Sequence, residues 1–216
     1  MTHIPINHSP EPIRLFKSNF LEFFTHVTPV FVVILWSPVI VFFLARAILA
    51  AAEEAALARV PLGLLAGVFI WTLTEYTMHR WVFHFRPRTP WQERVVFLFH
   101  GIHHVQPQCK TRLVMPPAVS VPMAFVFYGF LYGVAGLLLG IPQWIDPLFA
   151  GLGMGYLTYD LIHYATHHSP MPGRVLKYLK RHHMLHHFRT PDQRFGVSMP
   201  LWDVVFGTMP RETAAR

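Results

Sequence analysis

Four long apolar runs constrain this chain more than any other feature. A helix needs about 20 mostly apolar residues to cross roughly 30 Å of hydrocarbon, and residues 27–52, 60–78, 118–139 and 144–162 meet that requirement. The first run carries one charge, Arg46, the second carries Glu75 near its end, and the third carries none. The fourth, the least apolar, holds Asp146 and Asp160 toward its two ends. Pro116, Pro117 and Pro122 sit at the start of the third run, where proline is tolerated. Only 13% of the 216 residues are charged, about half of the roughly 25% found in soluble domains. Too little polar sequence remains to cover four such runs, so the expected fold is an all-α integral membrane protein with four transmembrane helices.

The connections set the layout. Residues 53–59 and 140–143 are short links, so runs one and two, and runs three and four, form antiparallel hairpins. Both long polar regions, 79–117 and 163–216, then emerge on the side of the N-terminus. Of 18 Lys and Arg residues, 2 precede the first run, 6 lie in 79–117 and 8 in 163–216. The positive-inside rule places that face in the cytoplasm. Residues 1–26 are thus a cytoplasmic N-terminal segment, and 27–216 a single domain whose cytoplasmic helical cap comprises 79–117 and 163–216. The membrane expected is a bacterial inner membrane or the endoplasmic reticulum. Pro5, Pro10 and Pro12 interrupt residues 1–26, so no secretory signal is read there. The basic excess is explained by topology, and no nucleic-acid partner is expected. A single cysteine, Cys109, rules out an intrachain disulfide and a Cys-rich zinc site.

The histidines need a separate reason, because at 15 they outnumber Asp plus Glu at 11. Twelve fall in four clusters on the predicted cytoplasmic face: His79 and His84; His100, His103 and His104; His163, His167 and His168; His182, His183, His186 and His187. Positions i, i+3 and i+4 share a helix face, so 100/103/104 and 183/186/187 should each aim three imidazoles one way, and 163/167 two. His79 and His84 are about 140° out of phase on an ideal helix of 3.6 residues per turn and need an irregular turn to converge. Imidazole suits Fe, Zn, Cu and Ni. Ten histidines in this pattern offer nitrogen donors for two ions, about five each. His3, His8 and His26 lie outside the pattern and read as surface residues. HExxH is absent, which argues against an intramembrane zinc hydrolase. Donors gathered at one face, away from the bilayer midplane, argue against a metal transporter.

Around these histidines the chain resembles the integral-membrane fatty acid hydroxylase superfamily, and within it the fatty acid 2-hydroxylases. The stretches that carry the resemblance are EYTMHRWVFH from Glu75, FHGIHH from Phe99, RLVMPP from Arg112, YDLIHYATHHS from Tyr159, LKRHHMLHHF from Leu179 and FGVSMPLWDVVFGT from Phe195. Together they span about residues 70–210. The resemblance implies oxygen-dependent hydroxylation at C-2 of a fatty acid, or of the acyl chain of a sphingolipid such as ceramide, by a dinuclear metal centre in the cap. The family's metal positions carry over to His79, His84, His100, His103, His104, His163, His167, His183, His186 and His187. No catalytic residue beyond these ligands is implied. His168 and His182 are extra to the ten and are expected beside the ligands. The alternative on the same scaffold is a sterol or carotenoid hydroxylase or desaturase.

The reaction so implied dictates the metal. A C–H bond at C-2 is neither acidic nor electrophilic enough for hydrolytic machinery, and zinc has no accessible redox change. Two iron ions with O2 are therefore expected, although zinc can occupy such a site in purified protein. Glu75 and Asp160, each one turn before a histidine, are candidates to orient imidazoles from behind. Apolar residues 199–206, with Trp202, either line an acyl pocket or pack the core. Electrons must come from a separate donor, a cytochrome b5 or a ferredoxin with its reductase. The 26 residues before the first run are too few for a fused cytochrome b5 and contain no haem-binding pattern, so no haem is expected in this chain.

Overall fold

The computed structural model describes residues 6–9 and 11–210. All regular structure among them is helical: α1 Asn19–Phe23, α2 Pro29–Glu53, α3 Arg59–Thr77, α4 Pro90–Val96, α5 Ile102–Val105, α6 Pro117–Leu131, α7 Ile145–His168, α8 Arg174–Phe188 and α9 Leu201–Val205. Three wider, π-helical stretches continue these elements: Met78–Phe83 after α3, Phe97–Gly101 between α4 and α5, and Tyr132–Leu138 after α6.

Helix starts follow from local chemistry. α2 and α4 both open on Thr-Pro: Thr28 and Thr89 are the N-caps, their hydroxyls accepting from the amides of Phe31 and Gln92, and Pro29 and Pro90 stand where an N–H would be unsatisfied anyway. Pro117 likewise begins α6. Pro122 departs from the sequence expectation, because it lies inside α6 and not at its start. Its ring removes one amide donor, the one that would reach the Ala118 carbonyl in the helix's first turn.

Three helices are long and apolar enough to cross a membrane: Pro29–Glu53, Arg59–Phe83 and Pro117–Leu138. They coincide with the first three runs. The fourth run lies within α7, which is 24 residues long but is diluted by two aspartates, glycines and three histidines. It also continues past residue 162, so one unbroken helix carries both the fourth apolar run and the clustered histidines His163, His167 and His168.

The chain divides into two compact units. One comprises residues 16–71 and 114–160. Its helices approach closely where glycines face each other. A Cβ at Gly67 would collide with the Leu148 carbonyl oxygen, and one at Gly151 with the Leu64 carbonyl oxygen. Gly63 and Gly67 on α3, and Gly151 and Gly155 on α7, form two small-xxx-small pairs, the spacing that lets apolar helices touch through their backbones. In the same unit Arg46 and Asp146 pair at 3.2 Å, so the one charge of the first run is matched by an aspartate of the fourth. The other unit comprises the described parts of 1–15, 72–113 and 161–216, and it contains all twelve clustered histidines.

Gly67→Val should lower thermal stability in detergent by roughly 1–3 kcal/mol, the usual cost of overpacking. Gly129→Ala, where a Cβ meets nothing within 4 Å, should instead raise it by roughly 0.5–1 kcal/mol through helix propensity. Equal effects of the two would contradict the close α3–α7 approach.

Candidate metal centre

The five-residue spacing of His79 and His84 is resolved by the backbone. Between them the helix widens, and the amide of His84 donates to the carbonyl of His79 at 3.1 Å, an i to i+5 bond. This closure stacks positions five apart, as an α-helix stacks positions four apart. A second π-helical stretch, Phe97–Gly101, carries His100 ahead of His103 and His104 on α5. α7 supplies His163 and His167, and α8 supplies His183, His186 and His187.

The ten imidazoles form two groups of five. His79, His84, His100, His104 and His186 make one, and His103, His163, His167, His183 and His187 make the other. Within each group the ligand-capable nitrogens all lie within 4.8 Å of one another. In the first group Nε2 of His100 lies 3.1 Å from Nε2 of His79 and 2.9 Å from that of His104, and Nε2 of His186 lies 3.1 Å from that of His84. In the second, Nε2 of His183 is 3.0 Å from that of His167 and 3.1 Å from that of His187, and Nε2 of His163 is 2.9 Å from that of His103.

This division differs from the sequence expectation that each HxxHH triplet aims its three rings together. Adjacent helical residues diverge by about 100°, so His103 and His104 face different groups, as do His186 and His187. Pairs at i and i+4 stay together: 100/104, 163/167 and 183/187. His103 and His186 therefore cross over, each joining the group filled mainly by other helices.

The nitrogen spacing suits a cation. Donors about 2.1 Å from an ion and 90° apart are about 3.0 Å from each other, the separation found here between neighbouring Nε2 atoms. Two neutral imidazoles at that distance can share one proton, but five converging nitrogens cannot all be satisfied that way, and a metal ion removes the conflict.

Burial holds the rings neutral. It lowers His84 to about 3, His163 to about 4, His167 to about 2 and His186 to about 4. In His100, His103, His104, His183 and His187 burial acts first, and neighbouring imidazoles lower them further. All remain lone-pair donors at neutral pH.

Backbone carbonyls fix the ring tautomers. Nδ1 of His79 donates to the Phe195 carbonyl at 2.6 Å and Nδ1 of His186 to the Gln193 carbonyl at 2.7 Å, leaving each Nε2 as the free donor atom. His163 is held in the same way by the Leu113 carbonyl.

The expected carboxylates act one step further back. Glu75 is 3% exposed and accepts from Ser198 Oγ at 2.5 Å, Ser198 N at 2.9 Å and Met199 N at 3.3 Å. Its hydrogen bonds go to the strap that carries Phe195, not to an imidazole. Asp160, equally buried, accepts from the amide of Met115. Asp203 was not among the sequence candidates, because it sits inside the apolar word PLWDVVFGT. It is fully buried and accepts from the amides of Phe195 and Gly196, both at 2.8 Å, and from Thr208 Oγ1 at 2.7 Å. His182 Nε2 lies 3.1 Å from Asp203 Oδ2. Burial raises Asp203, but these four hydrogen bonds outweigh it and hold the group below the usual carboxylate range. The one signal available in sequence was an ionisable residue inside an apolar stretch.

His182 and His168 join neither group; His168 packs against Tyr164 with ring centroids 4.9 Å apart. Trp202 donates from Nε1 to Thr72 Oγ1 at 2.9 Å, which ties the apolar 199–206 segment to α3. His8 is exposed, His26 lies 3.3 Å from Glu22 Oε1, and His3 is outside the described residues.

Two expectations follow from this chemistry. A neutral buried imidazole favours folding above its unfolded value of about 6.5 and penalises it as pH falls toward the folded value. The metal-free protein should therefore lose thermal stability progressively from about pH 6.5 toward 4, the value to which His163 and His186 are lowered; a flat profile over that window would contradict the burial. Asp203→Ala would leave His182, Thr208 and two amides buried without their acceptor, and should cost about 3 kcal/mol or more in unfolding measurements, whereas Asp192→Ala, at an exposed position, should cost less than about 0.5 kcal/mol.

An all-helical protein with apolar spans and two groups of five convergent imidazoles belongs to the class of histidine-rich membrane proteins able to hold two metal ions. The model of the fatty acid hydroxylase family matches residues 64–208, and the chain belongs to that family. It is 37% identical over 214 residues to the dihydroceramide fatty acyl 2-hydroxylase FAH1 of Arabidopsis thaliana, covering 99% of this chain and 86% of that protein. To the fatty acid 2-hydroxylase of Rattus norvegicus it is 36% identical over 229 residues, 96% of this chain and 60% of that one. A solved structure of full-length scs7p, in which only the hydroxylase domain is visible, superimposes with a TM-score of 0.80 at 37% identity, covering 91% of this chain and 72% of that one.

Proposed function

We propose that this chain hydroxylates a fatty acyl chain at C-2, as a free fatty acid or within a sphingolipid such as ceramide, using O2 and two iron ions. The observation that carries the reading is the pair of five-imidazole groups in a chain of the fatty acid hydroxylase family. His79, His84, His100, His104 and His186 would hold one ion, and His103, His163, His167, His183 and His187 the other. When bound, two iron ions supply the redox chemistry needed to activate O2 toward an unactivated C–H bond, which zinc in the same site cannot.

The chain's own residues contribute placement and tautomer. The carbonyls of Phe195, Gln193 and Leu113 hold protons on the outer ring nitrogens, so Nε2 lone pairs point inward. Glu75 and Asp203 fix the strap from which the Phe195 carbonyl reaches His79. Burial keeps the ligand rings unprotonated and the surroundings apolar, which suits a hydrocarbon substrate.

In this reading residues 1–26 are a cytoplasmic segment and 27–216 one hydroxylase domain. Residues 27–52, 60–78, 118–139 and 144–162 cross the membrane four times, and 79–117 with 163–216 cap the site on the cytoplasmic face. A cytochrome b5 or a ferredoxin with its reductase delivers electrons there. The basic excess of the polar regions supports that orientation.

Lipid mass spectrometry of an expressing host should reveal 2-hydroxy acyl chains, and purified protein should bind two metal ions. His186→Ala and His187→Ala remove donors from different groups. Each should lower bound metal from two toward one and reduce product by more than the roughly 10–100-fold typical of losing an outer-shell partner. Altered sterols or carotenoids without 2-hydroxy acyl chains would overturn the substrate assignment, and unchanged metal content in both variants would overturn the ligand assignment.

A further inference from the structure

The last helix among the described residues is inverted relative to one that faces water. α9 buries its single acid, Asp203, and turns three aliphatic side chains outward: Leu201 is 43% exposed, Val204 64% and Val205 57%. Phe206 just after it, and Trp81 and Val82 in the widened end of α3, are exposed as well. The aromatic members meet, because Phe206 stacks on Tyr76 with centroids 5.2 Å apart and lies 6.1 Å from Trp81. A joined apolar patch of this kind marks a surface that something other than water covers.

What α9 touches sets its depth. Trp202 Nε1 donates to Thr72 Oγ1, Glu75 accepts from the amides of Ser198 and Met199, and Phe206 reaches Tyr76 and Trp81. The segment therefore lies along α3 from residue 72 to residue 81. With its widened end, α3 is a helix of 25 residues apolar enough to cross a membrane. Upright, it is about 37.5 Å long at 1.5 Å per residue, against roughly 30 Å of hydrocarbon. Thr72 stands about 16.5 Å before Phe83 on the same rise. Even if the whole excess of about 7.5 Å projected at this end, Thr72 would lie about 9 Å inside the hydrocarbon. Trp81, with the Arg80 guanidinium 5.2 Å from its ring centroid, then falls at the headgroup level, where such side chains anchor.

The chain leading into α9 meets the demand that this depth imposes. Non-helical backbone is tolerated there only where its polar groups are satisfied within the protein. Two buried carboxylates do so: Phe195 and Gly196 donate their amides to Asp203, and Ser198 and Met199 donate theirs to Glu75. The acids face inward, as ionisable groups at membrane depth do, and the exposed positions of α9 carry no charge. We infer that residues 199–206 form a re-entrant element that dips into the acyl-chain layer beside α3, with Leu201, Val204 and Val205 against lipid tails. The occupant of the face is the bilayer itself, because the patch continues from the exposed end of a helix that crosses it. The inference rests on the crossing by residues 60–78 in the proposed function and on nothing about the reaction.

The test uses the full chain in phosphatidylcholine liposomes, with bimane attached to one introduced cysteine in a Cys109→Ala background. Val204→Cys and Val205→Cys are compared with Leu65→Cys, at an exposed position within 60–78, and with Lys177→Cys, at an exposed position on α8. Dibrominated phosphatidylcholine quenches a label in hydrocarbon, and iodide quenches one in water. Labels at 204 and 205 should be quenched several-fold more by the brominated lipid than by iodide, as at 65, and the label at 177 should show the reverse. Iodide quenching at 204 and 205 equal to that at 177, with 65 still in lipid, would overturn the proposal alone. Protection from both quenchers would also overturn it, by showing that protein covers the face. Iodide quenching at 65 as well would overturn the crossing of α3, and the proposal with it. Leu201→Cys replaces either α9 variant if a thermal melt shows that labelling disturbs folding.

Discussion

Nitrogen atoms about 3 Å apart and all facing inward are the constraint to which the rest of the histidine-bearing unit answers. Lone pairs repel when nothing lies between them, so ten Nε2 atoms in two groups of five can be assembled only where the surrounding structure over-determines their positions. The backbone does this first. α7 and α8 contribute i, i+4 pairs at ordinary helical spacing, whereas α3 must widen into a π-helical stretch before His79 and His84 can serve one point. That widening leaves one α-helical register unpaired, a cost tolerated here because it closes the first group.

A second layer then decides which nitrogen of each ring faces inward. For His79 and His186 it is made of main-chain carbonyls, from Phe195 and Gln193. A carbonyl is a weaker acceptor than a carboxylate but cannot be protonated, so the tautomer it enforces does not depend on pH. Buried carboxylates enter one bond further out, where Glu75 and Asp203 grip the amides of residues 195–199. The carboxyl groups thereby stay off the ten grouped imidazoles while still dictating where the Phe195 carbonyl stands.

Much of this was legible in the residues, and the gaps have physical causes. The first three apolar runs match helices because long hydrocarbon stretches admit little else. The irregular turn between His79 and His84 could be demanded from their spacing alone. The separation of His103 from His104 and of His186 from His187 was readable from the 100° helical increment only once two destinations were considered, whereas a face rule treats i, i+3 and i+4 as one direction. Asp203 escaped because its neighbours are apolar and its partners, Phe195, Gly196, His182 and Thr208, are united only by tertiary folding. Glu75 was a candidate for orienting an imidazole because of its depth in an apolar run, yet the hydrogen bonds it makes, to Ser198 and Met199, depend on a strap more than a hundred residues away.

The composition of the donor set carries a chemical consequence of its own. Each group offers five imidazoles and no carboxylate, unlike bundle sites built from glutamates on facing helices. Neutral nitrogen donors do not offset the charge of a divalent cation, so they disfavour hard ions such as Mg2+ and Ca2+, which take oxygen ligands, and favour the borderline transition metals. They would also leave a bound ion's positive charge to be balanced by some other, anionic ligand. Glu75 and Asp203 are committed to the 195–199 strap and belong to neither histidine group. A histidine-only site of this kind therefore favours borderline transition metals through donor type alone, while the unit's buried carboxylates set the position of the carbonyl behind His79.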